Sequence, residues 1–167
     1  PFPAILTGYT TYLLIVYLAD NPYAAVIGGA IFAFCPYRMH AMAAGWLPLL
    51  ATYWIPLVFL YMERMLRERK TRYALAMAFF MGLTILSSWY YLYIVGSVAL
   101  IYLLIRLRPW KQTLREKLLL RDIALAGLVV LAMAVPVALP VILGRSGEIG
   151  WTLQEVEKGA ASADDFM

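Results

Sequence analysis

The sequence is poor in the residues on which most soluble enzymes depend. Charged residues make up 14% of the 167 positions, against about 25% in soluble domains. There is one cysteine, Cys35, and one histidine, His40. A single cysteine excludes an internal disulfide and a cysteine-ligated metal cluster, and a lone histidine without a nearby carboxylate argues against a metal site. The chain also lacks a glycine-rich phosphate loop, so we expect no metal and no other cofactor.

Apolar residues take the place of the missing charges. They make up 63% of the chain, and the mean hydropathy is +0.75. The charges that remain separate five blocks that contain no Asp, Glu, Lys or Arg: 1–19, 21–37, 39–62, 73–105 and 123–144. Long uncharged blocks between short charged segments are typical of membrane-spanning helices, whereas a membrane β-barrel would show alternation. The net charge of +4 arises from cations that flank these blocks, so no nucleic-acid partner is expected.

Two short segments hold most of the positive charge and predict sidedness. Residues 63–72 and 106–121 contain 11 of the 14 Lys and Arg residues, which places both segments in the cytoplasm. The block 73–105 between them would span roughly 50 Å as one helix, against roughly 30 Å of hydrocarbon. Two crossings with a turn at 87–91 are therefore predicted.

The resulting prediction is an all-α, polytopic bundle in the plasma membrane, surrounded by membrane lipids. Its six spanning helices cover roughly 4–19, 23–35, 46–62, 73–87, 90–106 and 122–144. A tight turn on the cytoplasmic side is predicted at Asp20–Pro22, between the first two helices. The segments predicted on the extracytoplasmic side are 36–45, 87–91 and 145–167.

The expected organisation is that of a fragment. The chain starts at Pro1 directly in an apolar stretch, so residues 1–144 are expected to form a transmembrane domain truncated at its N-terminus. Residues 145–167 are expected to begin an extracytoplasmic loop or domain. Within 106–121, apolar residues at an i, i+4, i+8 spacing alternate with cations, which predicts an amphipathic helix in the inner interface; a solvated basic linker is the alternative.

The first candidate site surrounds an isolated arginine. Arg38 is the only Asp, Glu, Lys or Arg residue between Asp20 and Glu63, and Tyr37 and His40 lie beside it. A guanidinium at the headgroup level offers a two-pronged donor for phosphate, and His40 could add a hydrogen bond or transfer a proton. The alternative is that Arg38 merely reaches up to lipid phosphates as an anchor.

The second candidate site is the predicted turn at 87–91. Ser88, Trp89, Tyr90 and Tyr91 combine aromatic rings with polar tips, which can stack on sugars or line a lipid path. By the predicted topology the turn opens on the same side as Arg38. The alternative is an ordinary aromatic belt at the membrane interface.

Two runs carry a resemblance to a known superfamily. The run FAFCPYRMHAMAAGWLPLLATYWIPLVFLYMERML and the later run LSSWYYLYIVGSVALIYLL resemble bacterial multi-spanning proteins of the GT-C glycosyltransferase superfamily. They are more narrowly similar to its mannosyltransferase-like and lipoteichoic-acid-glycosylation-like members. The resemblance implies a helical bundle, a polyprenyl-phosphate sugar donor at the extracytoplasmic face, and a glycan, lipid or protein acceptor.

The resemblance also implies roles for individual residues. Arg38 would hold the donor phosphate with support from His40 and Tyr37, while Tyr90 and Tyr91 would line the lipid or sugar path. The catalytic carboxylate would lie in an external loop upstream of Pro1. Trp46 replaces the polar residue expected beside Gly45, which argues against a two-histidine site. A transporter or flippase for a lipid-linked saccharide and a non-catalytic membrane scaffold remain alternative functions.

Overall fold

The computed structural model describes residues 2–45, 47–88, 90–108 and 116–142, and this part of the chain contains helices and no strand. Its elements, in chain order, are α1 Phe2–Ala19, α2 Pro22–Ala33, α3 Pro36–Ala43, a 3₁₀ segment Leu47–Trp54, α4 Ile55–Glu68, α5 Thr71–Ser87, α6 Tyr90–Arg106 and α7 Lys117–Ile142.

Local chemistry explains where several helices begin. The side chain of Asn21 caps α2 by accepting hydrogen bonds from the backbone N–H groups of Tyr23 and Ala24, an arrangement that satisfies otherwise unpaired donors. Proline occupies the first turn of α2, α3 and α4, where its missing N–H costs nothing. The predicted turn at Asp20–Pro22 is therefore present, as is the predicted break between α5 and α6.

The number of long apolar helices is smaller than predicted. Among the described residues, two helices are long and apolar enough to cross a membrane: α1, and α7 over Lys117–Leu139. The apolar helices α5 and α6 have 17 residues each, and α2 has 12. The prediction of six spanning helices is thus wrong, because the other helices in the described part of the chain are too short or too polar to meet the same criterion.

Two boundary predictions also fail. The segment predicted as a helix over 46–62 consists of a 3₁₀ segment kinked at Ala51, followed by α4, which continues to Glu68. Residues 36–45, predicted as a loop, contain α3. Most of 63–72 is likewise helical, with the break at Arg69, whose φ of 54° lies in the left-handed region. Of the interfacial helix predicted within 106–121, residues 109–115 lie outside the described ranges, and Lys117–Arg121 form the start of α7.

The chain divides into two compact units, 1–134 and 135–167. In the first unit α1 packs against α2, α4 packs against α5, and the 3₁₀ segment contacts α1, α3, α4 and α5. The helices α1 and α2 approach so closely that a Cβ atom on Gly29 would lie 2.7 Å from the carbonyl oxygen of Gly8. Two apolar clusters complete the packing: one around Val58, Met81, Ile85, Tyr91 and Val95, the other around Met62, Met65, Ala74, Ala78, Leu119 and Ala126.

Large apolar side chains also remain outside these clusters. α2 and α6 present several of them outward, and all of the following are more than half exposed: Tyr23, Val26, Ile27, Ile31, Tyr90, Tyr93, Ile94, Val98, Leu100, Ile101 and Ile105. Contiguous apolar surface of this kind marks a contact with lipid or with another protein.

Candidate functional site

Arg38 is enclosed by the protein. Its side chain is fully buried. Nε donates to the carbonyl oxygen of Ala33 at 3.1 Å, and Nη1 donates to the carbonyl oxygen of Leu50 at 3.2 Å and to Oγ1 of Thr52. Because residues 36–43 form a helix next to the 3₁₀ segment, these acceptors surround the guanidinium and tie the end of α2 to α3 and the 3₁₀ segment.

One donor of this buried guanidinium is left over. Nη2 of Arg38 is buried and has no hydrogen-bond partner among the described residues. Burial lowers the pKa of Arg38, but arginine remains a cation in proteins. Leaving a buried polar group unsatisfied costs about 1–3 kcal/mol, and more for a charged group. An anionic ligand that accepted hydrogen bonds from the N–H groups of Nη2 would remove the cost.

A tyrosine pair brings the two candidate stretches together. The hydroxyl oxygens of Tyr37, on α3, and Tyr91, on α6, are 3.4 Å apart although 54 residues separate them in sequence. Tyr91 is 4% exposed and Tyr37 is 48% exposed, so the pair extends from the interior to the surface. The starts of α3 and α6 therefore lie next to each other.

The other predicted site residues lie around this group. His40 is exposed on α3. Ser88 ends α5 by donating its N–H to the carbonyl of Thr84, and its own carbonyl accepts the N–H of Tyr91. Tyr90 is 71% exposed, and Trp89 lies outside the described residues. The structure thus groups Tyr37, Arg38 and Tyr91, whereas Tyr90 and His40 occupy exposed positions.

An apolar groove lies close to this group. It runs between α1 and α2, has a volume of about 450 Å³, and is lined by Gly8, Tyr12, Gly29, Ala33 and Phe34, among others. Ala33 both lines the groove and accepts the hydrogen bond from Nε of Arg38. An apolar chain in the groove would therefore end near the buried cation.

The helix ends that carry the two basic segments form a second polar cluster, which sequence reasoning missed. Glu63 on α4 is 1% exposed. It accepts hydrogen bonds from the hydroxyl of Tyr102 at 2.6 Å, from Nε of Arg67 at 2.6 Å, and from Nε of Arg106 at 3.1 Å; Nη2 of Arg106 also contacts it. The i, i+4 spacing of Glu63 and Arg67 was a usable signal, but nothing local marks the residues on α6.

The surroundings of Glu63 act on its pKa in opposite directions. Desolvation by burial raises the pKa of Glu63, but the hydrogen bonds from Tyr102, Arg106 and Arg67 outweigh it. The net effect places the pKa below its ordinary value, so Glu63 is a carboxylate at neutral pH. It joins α4 to α6.

Further polar contacts link the two basic segments directly. Arg69 pairs with Glu116 at 3.2 Å, and Oγ1 of Thr71 donates to Asp122 at 3.0 Å. Arg121 bonds both Thr71 and Asp122. The ends of α4 and α6 and the starts of α5 and α7 therefore meet, and together we call them the basic end. The Tyr37–Tyr91 pair stands instead at the starts of α3 and α6.

Within the described ranges, no group of three or more His, Cys, Asp or Glu side chains could hold a metal ion. No family model, no curated protein and no solved structure matches this chain.

Proposed function

We propose that the chain is part of a membrane-embedded glycosyltransferase that takes a sugar from a polyprenyl-phosphate donor at the extracytoplasmic face. The observation that carries the proposal is that Nη2 of Arg38 is buried without a partner among the described residues, while Tyr37, the residue before Arg38 in the chain, pairs with Tyr91. This arrangement supplies a fixed cation and a partly exposed hydroxyl at one point, which suits the phosphate of a lipid-linked donor.

The membrane setting is supported by the apolar helices. Two of them are long enough to cross a bilayer, and α6 exposes a row of large apolar side chains. With the basic end in the cytoplasm, the Tyr37–Tyr91 pair would lie on the opposite face. The short helices α2, α5 and α6 would then cross with neighbouring helices as partners.

The chemistry follows from the charge that develops during transfer. When the bond between the sugar and the donor phosphate breaks, negative charge grows on the phosphate oxygens. A donor that is already held in place stabilises this charge without reorganising, and such fixed donors account for much of the rate in comparable sites. Nη2 of Arg38 and the hydroxyl of Tyr37 are the groups proposed for this role, while the α1–α2 groove would take the lipid chain.

A scaffold without catalytic activity is the second candidate. It is favoured by the three hydrogen bonds that Arg38 makes to Ala33, Leu50 and Thr52, because these bonds alone justify a buried arginine as a structural clamp. The two candidates differ in what Nη2 and the Tyr37 hydroxyl contribute.

The test uses the full-length protein reconstituted in vesicles with a panel of polyprenyl-phosphate sugars. Tyr37→Phe keeps the ring of a half-exposed side chain and removes its hydroxyl, so the fold should survive while transfer falls about tenfold or more. Arg38→Lys should abolish transfer, and Arg72→Gln, an exposed cation at the basic end, serves as the control. Full transfer by folded Tyr37→Phe and Arg38→Lys proteins, or no transfer by the wild type with any donor, would reject the enzyme.

A further inference from the structure

The basic end carries more cations than its acidic residues can neutralise. Its described segments contain four acidic residues, and each forms an ion pair: Glu63 with Arg67 and Arg106, Glu68 with Lys70, Glu116 with Arg69, and Asp122 with Arg121. The cations number nine: Arg64, Arg67, Arg69, Lys70, Arg72, Arg106, Arg108, Lys117 and Arg121. The acidic Asp20, at the end of α1, pairs with none of them in the described part of the chain. An excess of positive charge therefore remains here.

Arg64 differs from the paired cations around it. Its guanidinium carbon lies over three tyrosine rings, 5.0 Å from the centre of Tyr17, 5.7 Å from that of Tyr61 and 5.9 Å from that of Tyr73. Its Nε is buried without a hydrogen-bond partner in the described residues. The residue as a whole is half-buried.

In the described part of the chain, no acidic side chain forms an ion pair with Arg64. Glu68, one turn further along α4, is paired elsewhere: its carboxylate accepts hydrogen bonds from Nζ of Lys70 at 3.0 Å and from the hydroxyl of Tyr73 at 2.9 Å. Three ring faces thus attract the guanidinium through cation–π contacts. Its Nε is left without an acceptor among the residues that the structure describes.

We propose that Arg64, held by Tyr17, Tyr61 and Tyr73, binds the phosphate of an anionic membrane lipid. A guanidinium fork matches phosphate oxygens in a two-pronged geometry, and nearby unpaired cations add long-range attraction. A lipid fits better than free phosphate because Tyr17 lies two residues before the end of α1, a helix long enough to cross a bilayer. Tyrosine favours this headgroup level.

This binding site is independent of sugar transfer. It lies among the ends of α1 and α4 and the start of α5, whereas the proposed donor site uses the starts of α3 and α6. A binding readout therefore separates failure of this proposal from failure of the glycosyltransferase proposal. The site would orient the protein in the bilayer and stabilise the junction of the three helices.

The experiment measures how three probes stabilise the purified full-length protein in neutral detergent against thermal unfolding: phosphatidylglycerol, phosphatidylcholine and inorganic phosphate. The wild type should be stabilised by phosphatidylglycerol and not by the other two. Arg64→Gln should weaken the apparent affinity for phosphatidylglycerol about tenfold, equivalent to about 1.4 kcal/mol. Arg72→Gln removes the same charge from an exposed side chain that stacks on Tyr73 at 4.7 Å, and it should change the affinity by less than about twofold.

Several results would overturn the proposal. Equal weakening by Arg64→Gln and Arg72→Gln would show diffuse attraction instead of a site, and equal stabilisation by inorganic phosphate would exclude a lipid-specific one. Equal stabilisation by phosphatidylcholine would remove the requirement for an anion. If Arg64→Gln does not fold, Arg64→Lys retains the charge but lacks the fork; it should bind phosphatidylglycerol at least about threefold more weakly, and wild-type affinity would reject the site.

Discussion

Replacement of Glu63 by glutamine tests whether the buried carboxylate holds α4 to α6. Glu63 is 1% exposed and is surrounded by donors from Arg67 on its own helix and from Tyr102 and Arg106 on α6. Glutamine has nearly the same shape but removes the negative charge. It also leaves a single acceptor oxygen for three donor groups.

The size of the loss follows from the exposure of the partners. Removing one member of a buried ion pair costs about 3–5 kcal/mol when the other member stays buried. Here Arg67 and Arg106 are 47% and 41% exposed, so water can solvate the cations that lose their partner. One hydrogen bond to the remaining oxygen of the glutamine is also retained. We therefore expect Glu63→Gln to lower the free energy of unfolding by about 2 kcal/mol, below the buried-pair range.

The assay is thermal unfolding in detergent micelles, followed by circular dichroism. A loss of about 2 kcal/mol corresponds to a fall in Tm of roughly 4–8 °C for a domain of this size. Glu68→Gln is the matched control, because Glu68 is exposed and its ion pair with Lys70 should contribute little to stability. Equal Tm values for the two variants would refute the reasoning, and a Glu63→Gln protein more stable than the wild type would show that desolvation outweighs the hydrogen bonds.

Two further predictions concern pH and helix packing. The pKa of Glu63 in the folded protein lies below its ordinary value. The stability that its carboxylate contributes should therefore be complete above about pH 4.3, the pKa in an unfolded chain, and should disappear as the pH falls through the folded pKa. A wild-type Tm that falls no faster with acid than the Tm of Glu63→Gln would contradict this. Gly29→Ala would place a Cβ atom 2.7 Å from a backbone oxygen of α1 and should cost about 1–3 kcal/mol. Gly127→Ala meets no atom within 4 Å and should gain about 0.5–1 kcal/mol; a Gly29→Ala protein at least as stable as Gly127→Ala in thermal unfolding would rule out the close approach of α1 and α2.

The sequence predicted the structure best where the signal was local. The turn at Asp20–Pro22 rests on an asparagine cap and a proline within three residues, and the division of 73–105 rests on a short polar interruption that ends α5 at Ser87. Both features depend on neighbours in the chain. Composition likewise indicated an all-helical chain, because uncharged blocks this long leave no alternating strand pattern.

The prediction failed where hydropathy was uniform but the backbone was not. Residues 46–62 form one uncharged block, and nothing in hydropathy distinguishes a continuous helix from a 3₁₀ segment that kinks at Ala51 before α4 begins. The same limitation applies to 36–45, which was predicted to be an extracytoplasmic loop. Pro36 instead occupies the first turn of α3. Proline has both uses, and only packing against the 3₁₀ segment distinguishes them.

Arg38 and Glu63, which bound the uncharged block 39–62, show why an isolated charge is hard to interpret from sequence. Arg38 stands out in the sequence because it has no charged neighbour, yet the fold surrounds it with backbone carbonyls, and Nη2 is left without a hydrogen-bond partner among the described residues. Glu63 does not stand out because cations follow it, yet it is the buried centre of a network whose partners lie 39 and 43 residues away. In a chain with so few charges, each must be solvated, paired or used for binding. Which of the three applies depends on contacts between distant segments, so a lone charge in such a sequence identifies a position to test without revealing its role.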